Sequence, residues 1–278
     1  MKASLYPRFE YGDNLKINGL IQKPSTAEYA GYLEKEKISG VVSFSEINIL
    51  SRHNGSVLKE KLFKIKNTIS ESFQKFLNVK EAAFLNGLTL GGTSGLSDDF
   101  KRAMSLSGTT HLVALSGYNI TILVWITMGI FIYFLPRRLS FILTFIAIFA
   151  FVAMTGAESS VVRAGIMGML ILLAREVGRI YDFRNAIILA ALVMVLINPK
   201  VLVFDIGFEL SFLALLGIVY LRPTLIKIFK IKEDISFLSW RDNLLTTASA
   251  QLAVAPILIA NFGNFSLTSL FLMFLFWN

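Results

Sequence analysis

The sequence predicts a mostly α-helical polytopic membrane protein with interrupted helices, preceded by a small β-rich domain. Three observations carry that expectation. Of the 278 residues, 54 % are hydrophobic and 24 are Phe, against roughly 45–50 % apolar residues in soluble domains. The excess is confined to one part of the chain: residues 1–110 carry charges throughout, whereas residues 111–278 are dominated by long apolar runs. At the start of those runs, residues 111–119 read HLVALSGYN, a polar break in a stretch otherwise long enough to cross a bilayer. Lipid cannot satisfy an interrupted backbone, so a break belongs where protein or a water-filled cavity covers it. Interrupted spans mark binding sites or pathways. The plainer alternative is a helix that begins after Asn119, leaving residues 120–135, which is short of the ~20 residues a span needs.

The formal charge of +8 admits nucleic acid or anionic lipid as a partner, but membrane proteins carry excess Lys and Arg in cytoplasmic loops for topological reasons alone. There is no Cys, which excludes disulfides and thiolate metal sites. With only His53 and His111 present, a histidine-based metal site is not expected either, and no cofactor is. The opening MKASLYPRFEYGDN lacks the apolar core of a signal peptide.

Three regions follow in order. Residues 1–56 form the small domain. Residues 15–21 alternate around Asn18-Gly19, residues 41–50 are β-branched and partly alternating, and residues 27–37 between them read as a short helix. Together they suggest a small barrel or part of one. Residues 57–110 hold an amphipathic helix and a Gly-rich connector. In the helix, Leu58, Leu62, Ile65, Ile69, Phe73 and Phe76 recur every three or four residues, with Lys59, Lys61, Lys64, Lys66 and Lys75 between them. Such a helix either packs on a core, the commoner case, or lies on anionic headgroups. The connector, residues 87–110, contains a helix start at Ser97 with Asp98 and Asp99 in the first turn. Its glycines lack the Gly-Lys-Ser/Thr of a phosphate loop, so no nucleotide site is expected there.

The third region, residues 111–278, carries apolar segments at 112–135, 139–155, 160–174, 186–199, 206–221, 244–262 and 265–277. Several are too short for a perpendicular span, which points to half-helices around a cavity. Basic residues fall in alternate connections, at Arg137 and Arg138, over 175–184 and over 222–241, while 157–158 and 199–205 are poor in them. If the basic loops are cytoplasmic, the first segment runs from outside to inside and residues 1–110 lie outside.

Polar groups inside the apolar runs are the candidate functional residues. Arg163 is expensive within a membrane and is expected to face a cavity or a carboxylate. Glu158 and Glu209 are available as partners, and a phosphate-bearing substrate is the other natural contact for a guanidinium. Asp205 and Glu209 lie four apart on one helix face, suited to cations, protons or Arg163. Arg179 and Asp182 stand with Asn185 at a turn; Gln251 and Asn261 are expected to bond between helices. A Ser116 nucleophile is not expected, because its only nearby base would be His111 on the same stretch.

These residues also carry a resemblance. HLVALSGYNITIL is similar to the signature of the competence domain in the ComEC/Rec2 family of DNA-uptake proteins. It is followed in the family's order by SSVVRAGIMGMLILLAREVGR, DFRNAIILAALVMVLINPKVLVFDIGFELSFLALLGI and APILIANFGNFSL. YGDNLKINGLIQKP and YAGYLEKEKISGVV resemble the family's extracytoplasmic OB-like domain. The resemblance implies an OB-like, partial domain over 1–56 and a truncated competence domain over 111–278. It implies a plasma-membrane channel that passes single-stranded DNA into the cytoplasm during natural transformation. Partners so implied are single-stranded DNA, the bilayer, and other competence proteins such as a DNA receptor and a cytoplasmic helicase, with self-association left open. Path or gating candidates are His111, Ser116, Gly117, Asn119, Arg163, Asp205 and Glu209. Structural motif positions are Gly165, Arg179, Asp182, Asn198, Pro199, Gly207, Phe208 and Ser211. Tyr118-Asn119 departs from the family's commoner Leu-His pair, and the metallo-β-lactamase-like domain of long members has no counterpart, so the chain is not expected to hydrolyse DNA. From the residues alone, a small-solute or ion transporter using Arg163, Asp205 and Glu209 remains the alternative.

Overall fold

The computed structural model describes residues 9, 11–24, 26–42, 46–52, 54–92, 95–107, 115, 117–229 and 240–262. His53, His111, Ser116 and the apolar segment 265–277 lie outside them. In the N-terminal part, β1 (Asn14–Asn18) pairs antiparallel with β4 (Glu46–Ser51), Leu15 opposite Ile49 and Ile17 opposite Ile47. Nested within that ladder, β2 (Ile21–Gln22) pairs antiparallel with β3 (Val41–Val42). The result is one interrupted hairpin whose far end carries α1 (Ala27–Lys35), capped by Thr26, whose Oγ1 accepts from the Tyr29 N–H at 3.3 Å. Among the described residues the strands do not close into a barrel.

Next comes the basic helix, α2 (Val57–Phe76), in which no residue is buried. It is not a core helix. Leu62, Phe63, Lys66, Ile69 and Phe73 are half-buried on one face, while Leu58, Ile65 and Phe76 stay exposed. The connector holds more structure than its glycines suggest. α3 (Val79–Leu90) begins where the Glu81 carboxylate accepts from the Asn78 N–H at 3.4 Å, and α4 (Asp98–Ser107) starts at the expected Ser97 cap. The sequence of α3 has almost no polar face and an internal Gly87, so it lacks the periodicity that marks α2. Gly91 ends α3 at φ 68°, and a Cβ there would meet Leu115 Cδ1 at 2.5 Å.

The membrane region is an antiparallel array: α5 (Gly117–Phe134), α6 (Arg137–Met154), α7 (Ser159–Val177), α8 (Phe183–Ile197), a single turn α9 (Val201–Phe204) and α10 (Ile206–Leu216). A π-helical turn, Gly217–Leu221, joins α10 to α11 (Arg222–Phe229), and α12 (Trp240–Phe262) follows. Four stretches are long and apolar enough to cross a membrane: Gly117–Phe134, Arg137–Met154, Ile206–Ile228 and Leu244–Asn261. Between 6 % and 22 % of each is buried inside the protein, so most of their apolar surface is left for lipid. α7, α8 and α10 share the largest core, built from Met167, Ala186, Ile187, Ala190, Phe208 and Phe212 among others. Close approach relies on small residues. A Cβ on Gly165 would lie 2.9 Å from Val152, and one on Gly217 would lie 2.6 Å from both Ala253 Cβ and the Ser249 carbonyl.

Candidate functional site

The starts of α5, α7 and α10 and the end of α8 meet at one end of this array, and α1 docks there. Asp205 is the hub. As N-cap of α10 its Oδ1 accepts the Phe208 N–H at 3.0 Å. Its Oδ2 accepts the Ser159 hydroxyl from the first turn of α7 and the Lys35 ammonium from α1, the latter at 2.9 Å. Gly207 leaves room for the carboxylate, since a Cβ there would stand 3.1 Å from Oδ1.

α1 is keyed to the same loop by three further contacts. The Lys35 carbonyl accepts from Asn198 Nδ2 at 3.1 Å, and Glu34 pairs with Lys200 at 2.6 Å. Gly31 gives the Phe204 ring its seat, because a Cβ on residue 31 would be 2.1 Å from a ring carbon. Lys35 also meets Glu36 at 3.0 Å and stands over the Tyr32 ring. Burial by itself lowers a lysine pKa, yet hydrogen bonds to Asp205 and Glu36 outweigh it and hold Lys35 above its ordinary value. Burial likewise pushes Asp205 up, and the bonds from Ser159, Lys35 and the Phe208 N–H outweigh it and hold the carboxyl below its ordinary range. Both shifts favour the ionised pair.

Arg163 stands one turn deeper on α7. Its guanidinium lies 5.8 Å from the centre of the Phe212 ring on α10. Among the described residues no carboxylate is within ion-pair distance of it: neither Glu158 nor Glu209 takes the partnership the sequence offers. Asp205 is spent on Lys35, and so does not hold Arg163 either. Glu209 and Phe212 are three apart on α10 and share a face. The arrangement is a cation held on an aromatic face inside apolar helices, with donors to spare.

The other expected residues take structural posts. Gly117 brings α5 against Ala164, Asn119 donates to the Leu88 carbonyl at 2.8 Å, and Ser211 donates to the Phe208 carbonyl at 3.0 Å. Phe208 packs on Phe212 with ring centres 4.4 Å apart. The carbonyl of Pro199 accepts the Leu202 N–H at 3.3 Å in the turn that opens α9. Asp182 caps α8 through the Arg184 and Asn185 amides, and Arg179 bonds to Ala174 by its backbone; both belong to the opposite, basic end. Asn261 donates within its own helix to Ile257, not between helices. Among the described residues no group of His, Asp and Glu could hold a metal. The residues the sequence did not mark are Gly31, Glu34, Lys35, Ser159 and Lys200; a contact 170 positions apart, such as Lys35 with Asp205, leaves no local pattern.

A helical membrane array with a strand-and-helix domain keyed onto its end defines the class. The family is named by comparison: Competence protein matches residues 88–277. The chain therefore belongs to the competence protein family, the ComEC/Rec2 group that the motifs resemble. It is also similar to ComE operon protein 3 of Bacillus subtilis (strain 168), at 27 % identity over 270 residues, covering 94 % of this chain and 33 % of that protein. The chain thus spans about a third of that relative's length. No solved structure matches.

Proposed function

We propose that this chain is part of a plasma-membrane conduit for single-stranded DNA, with Arg163 as a phosphate contact on the path. The observation that carries the proposal is the guanidinium of Arg163 on α7, set on the face of Phe212 in the Ile206–Ile228 span and matched by no carboxylate among the described residues. An intramembrane Arg without a partner is costly, and phosphodiester oxygens satisfy it well. An aromatic ring beside a cation is also the pairing that single-stranded nucleic acid uses for stacking and charge.

The same reading places residues 1–110 outside the cell, with 1–56 as a partial OB-like domain facing incoming DNA. Two features support it: α1 docks at the end where 157–159 and 198–205 lie, and Arg137, Arg138, Arg175, Arg179 and Arg222 lie at the other. The transporter alternative loses ground because Asp205 is committed to Lys35 and Ser159, and so is not a free coupling group. In cells lacking the native gene, the intact chain is expected to restore import of labelled DNA into the cytoplasm, in the presence of the remaining competence machinery. Arg163→Ala at equal membrane level is expected to lower import by about tenfold or more, as loss of one charge-assisted contact does. Import unchanged by Arg163→Ala would sink the proposed contact.

A further inference from the structure

We infer that Lys35 is a positioning residue: α1, docked through it, fixes the first turns of α7 and α10 against each other and thereby sets where Arg163 and Glu209 stand. The inference rests on the conduit reading and adds a part to it.

The geometry is specific. One carboxylate oxygen of Asp205 joins α1 to α7, through Lys35 and Ser159, while the other oxygen caps α10. Ser160, beside Ser159, donates to the Leu115 carbonyl at 2.9 Å, which ties the same turn of α7 to the residues ahead of α5. Lys35 is thus the one cation from outside the membrane helices that reaches the hub among the described residues, and its side chain is 12 % exposed. Arg163 follows Ser159 by one turn, and Glu209 follows Asp205 by one turn. A shift of either first turn therefore changes where the two groups stand relative to each other. A polar network whose members are all satisfied makes a stiff support. The Gly31 seat for Phe204 and the Glu34–Lys200 pair add shape and charge to the same docking face.

The chain has no native Cys, so Gly31→Cys with Phe204→Cys introduces a single disulfide where a residue-31 Cβ already meets the Phe204 ring. In cells lacking the native gene, Lys35→Met is expected to lower DNA import by about tenfold at equal membrane level, since small misplacement of a contact group has effects of that order or more. Lys35→Arg is expected to keep most of the import. Adding the Cys pair to Lys35→Met is expected to restore import when oxidised and to lose it on reduction. Import unaffected by Lys35→Met overturns the inference, and so does a disulfide that blocks import while Lys35 is present, since α1 would then have to leave.

A second measurement needs no DNA. The rate at which a water-soluble maleimide labels Arg163→Cys in isolated membranes is expected to change severalfold with Lys35→Met and to return with Lys35→Arg. An unchanged rate overturns the positioning role. If the rate changes while import never depends on this chain, the positioning role stands and the conduit reading fails.

Discussion

The two ends of the membrane array are held together by ion pairs of opposite character. At the α1 end, the side chains of Lys35 and Asp205 are 12 % and 9 % exposed, and Asp205 bonds to three different elements. At the basic end, Arg137 meets Glu176 at 3.3 Å with exposures of 66 % and 28 %, and Arg222 pairs with Asp242 at 27 % and 48 %. Water screens the second kind and barely reaches the first. The difference teaches where geometry is held. One end ties the starts of α7 and α10 to a docked domain through one buried carboxylate; at the other, the pairs join neighbouring helices in the open.

The sharpest way to break this contrast is Asp205→Ala. It removes the cap of α10, leaves Lys35 without its main partner and frees the Ser159 hydroxyl. Breaking one partner of a largely buried pair costs about 3–5 kcal/mol, and a lost N-cap about 1 kcal/mol; because the two overlap, about 3 kcal/mol is expected overall. Thermal unfolding in detergent micelles measures it, and a loss below that of an ordinary surface substitution would show the hub to be idle. The pH dependence follows from the same pair. Asp205 lies just before the Ile206–Ile228 span, and its pKa is lowered from 3.8; its contribution is present above that value and is lost as pH falls through the folded value. Lys35 is raised from 10.5, so its contribution is present below that value and is lost as pH rises through the folded one. Stability from the pair is therefore level across neutral pH and falls only toward the extremes, and Asp205→Asn is expected to remove the acid limb.

A smaller effect is expected from Gly31→Leu, which crowds the Phe204 ring without touching a charge. The ring can turn aside in part, so the cost is expected to sit near 1 kcal/mol. The telling readout is local: faster proteolysis between α1 and α2 with unfolding of the membrane helices unchanged.

Much of the helical array was legible in the residues because lipid imposes length and apolarity on each segment. The expected 139–155 and 244–262 lie close to α6 and α12, and α5 begins at Gly117, inside SGYN, while residues 111–114 and 116 lie outside the described ones. α3 escaped because a helix apolar on most sides gives no 3.6-residue signal and its Gly87 reads as linker. Arg163 stood out by its cost in lipid. Its place on Phe212, and the capture of Asp205 by Lys35, did not, since neither contact is local: they span 49 and 170 positions, 212 minus 163 and 205 minus 35. Asp205 and Glu209 look alike in sequence as two carboxylates one turn apart, yet only the first sits at the cap where three donors converge.

The smallest effect belongs to Arg137→Ala at the basic end, and it tests the contrast from the other side. Arg137 meets Glu176 and also donates to the Arg175 carbonyl at 3.0 Å, so like Lys35 it has a carboxylate partner and a second polar contact. If contacts alone decided stability, the two substitutions would cost the same. Exposure decides instead: at 66 % exposed the guanidinium keeps most of its hydration whether or not Glu176 is near, and such pairs contribute about 0.2–1 kcal/mol. Thermal unfolding of Arg137→Ala is therefore expected to stay within about 1 kcal/mol of the parent, and to move still less in high salt. A loss comparable to that of Asp205→Ala would mean that the basic end also fixes helix geometry, and the distinction between the two ends would fall.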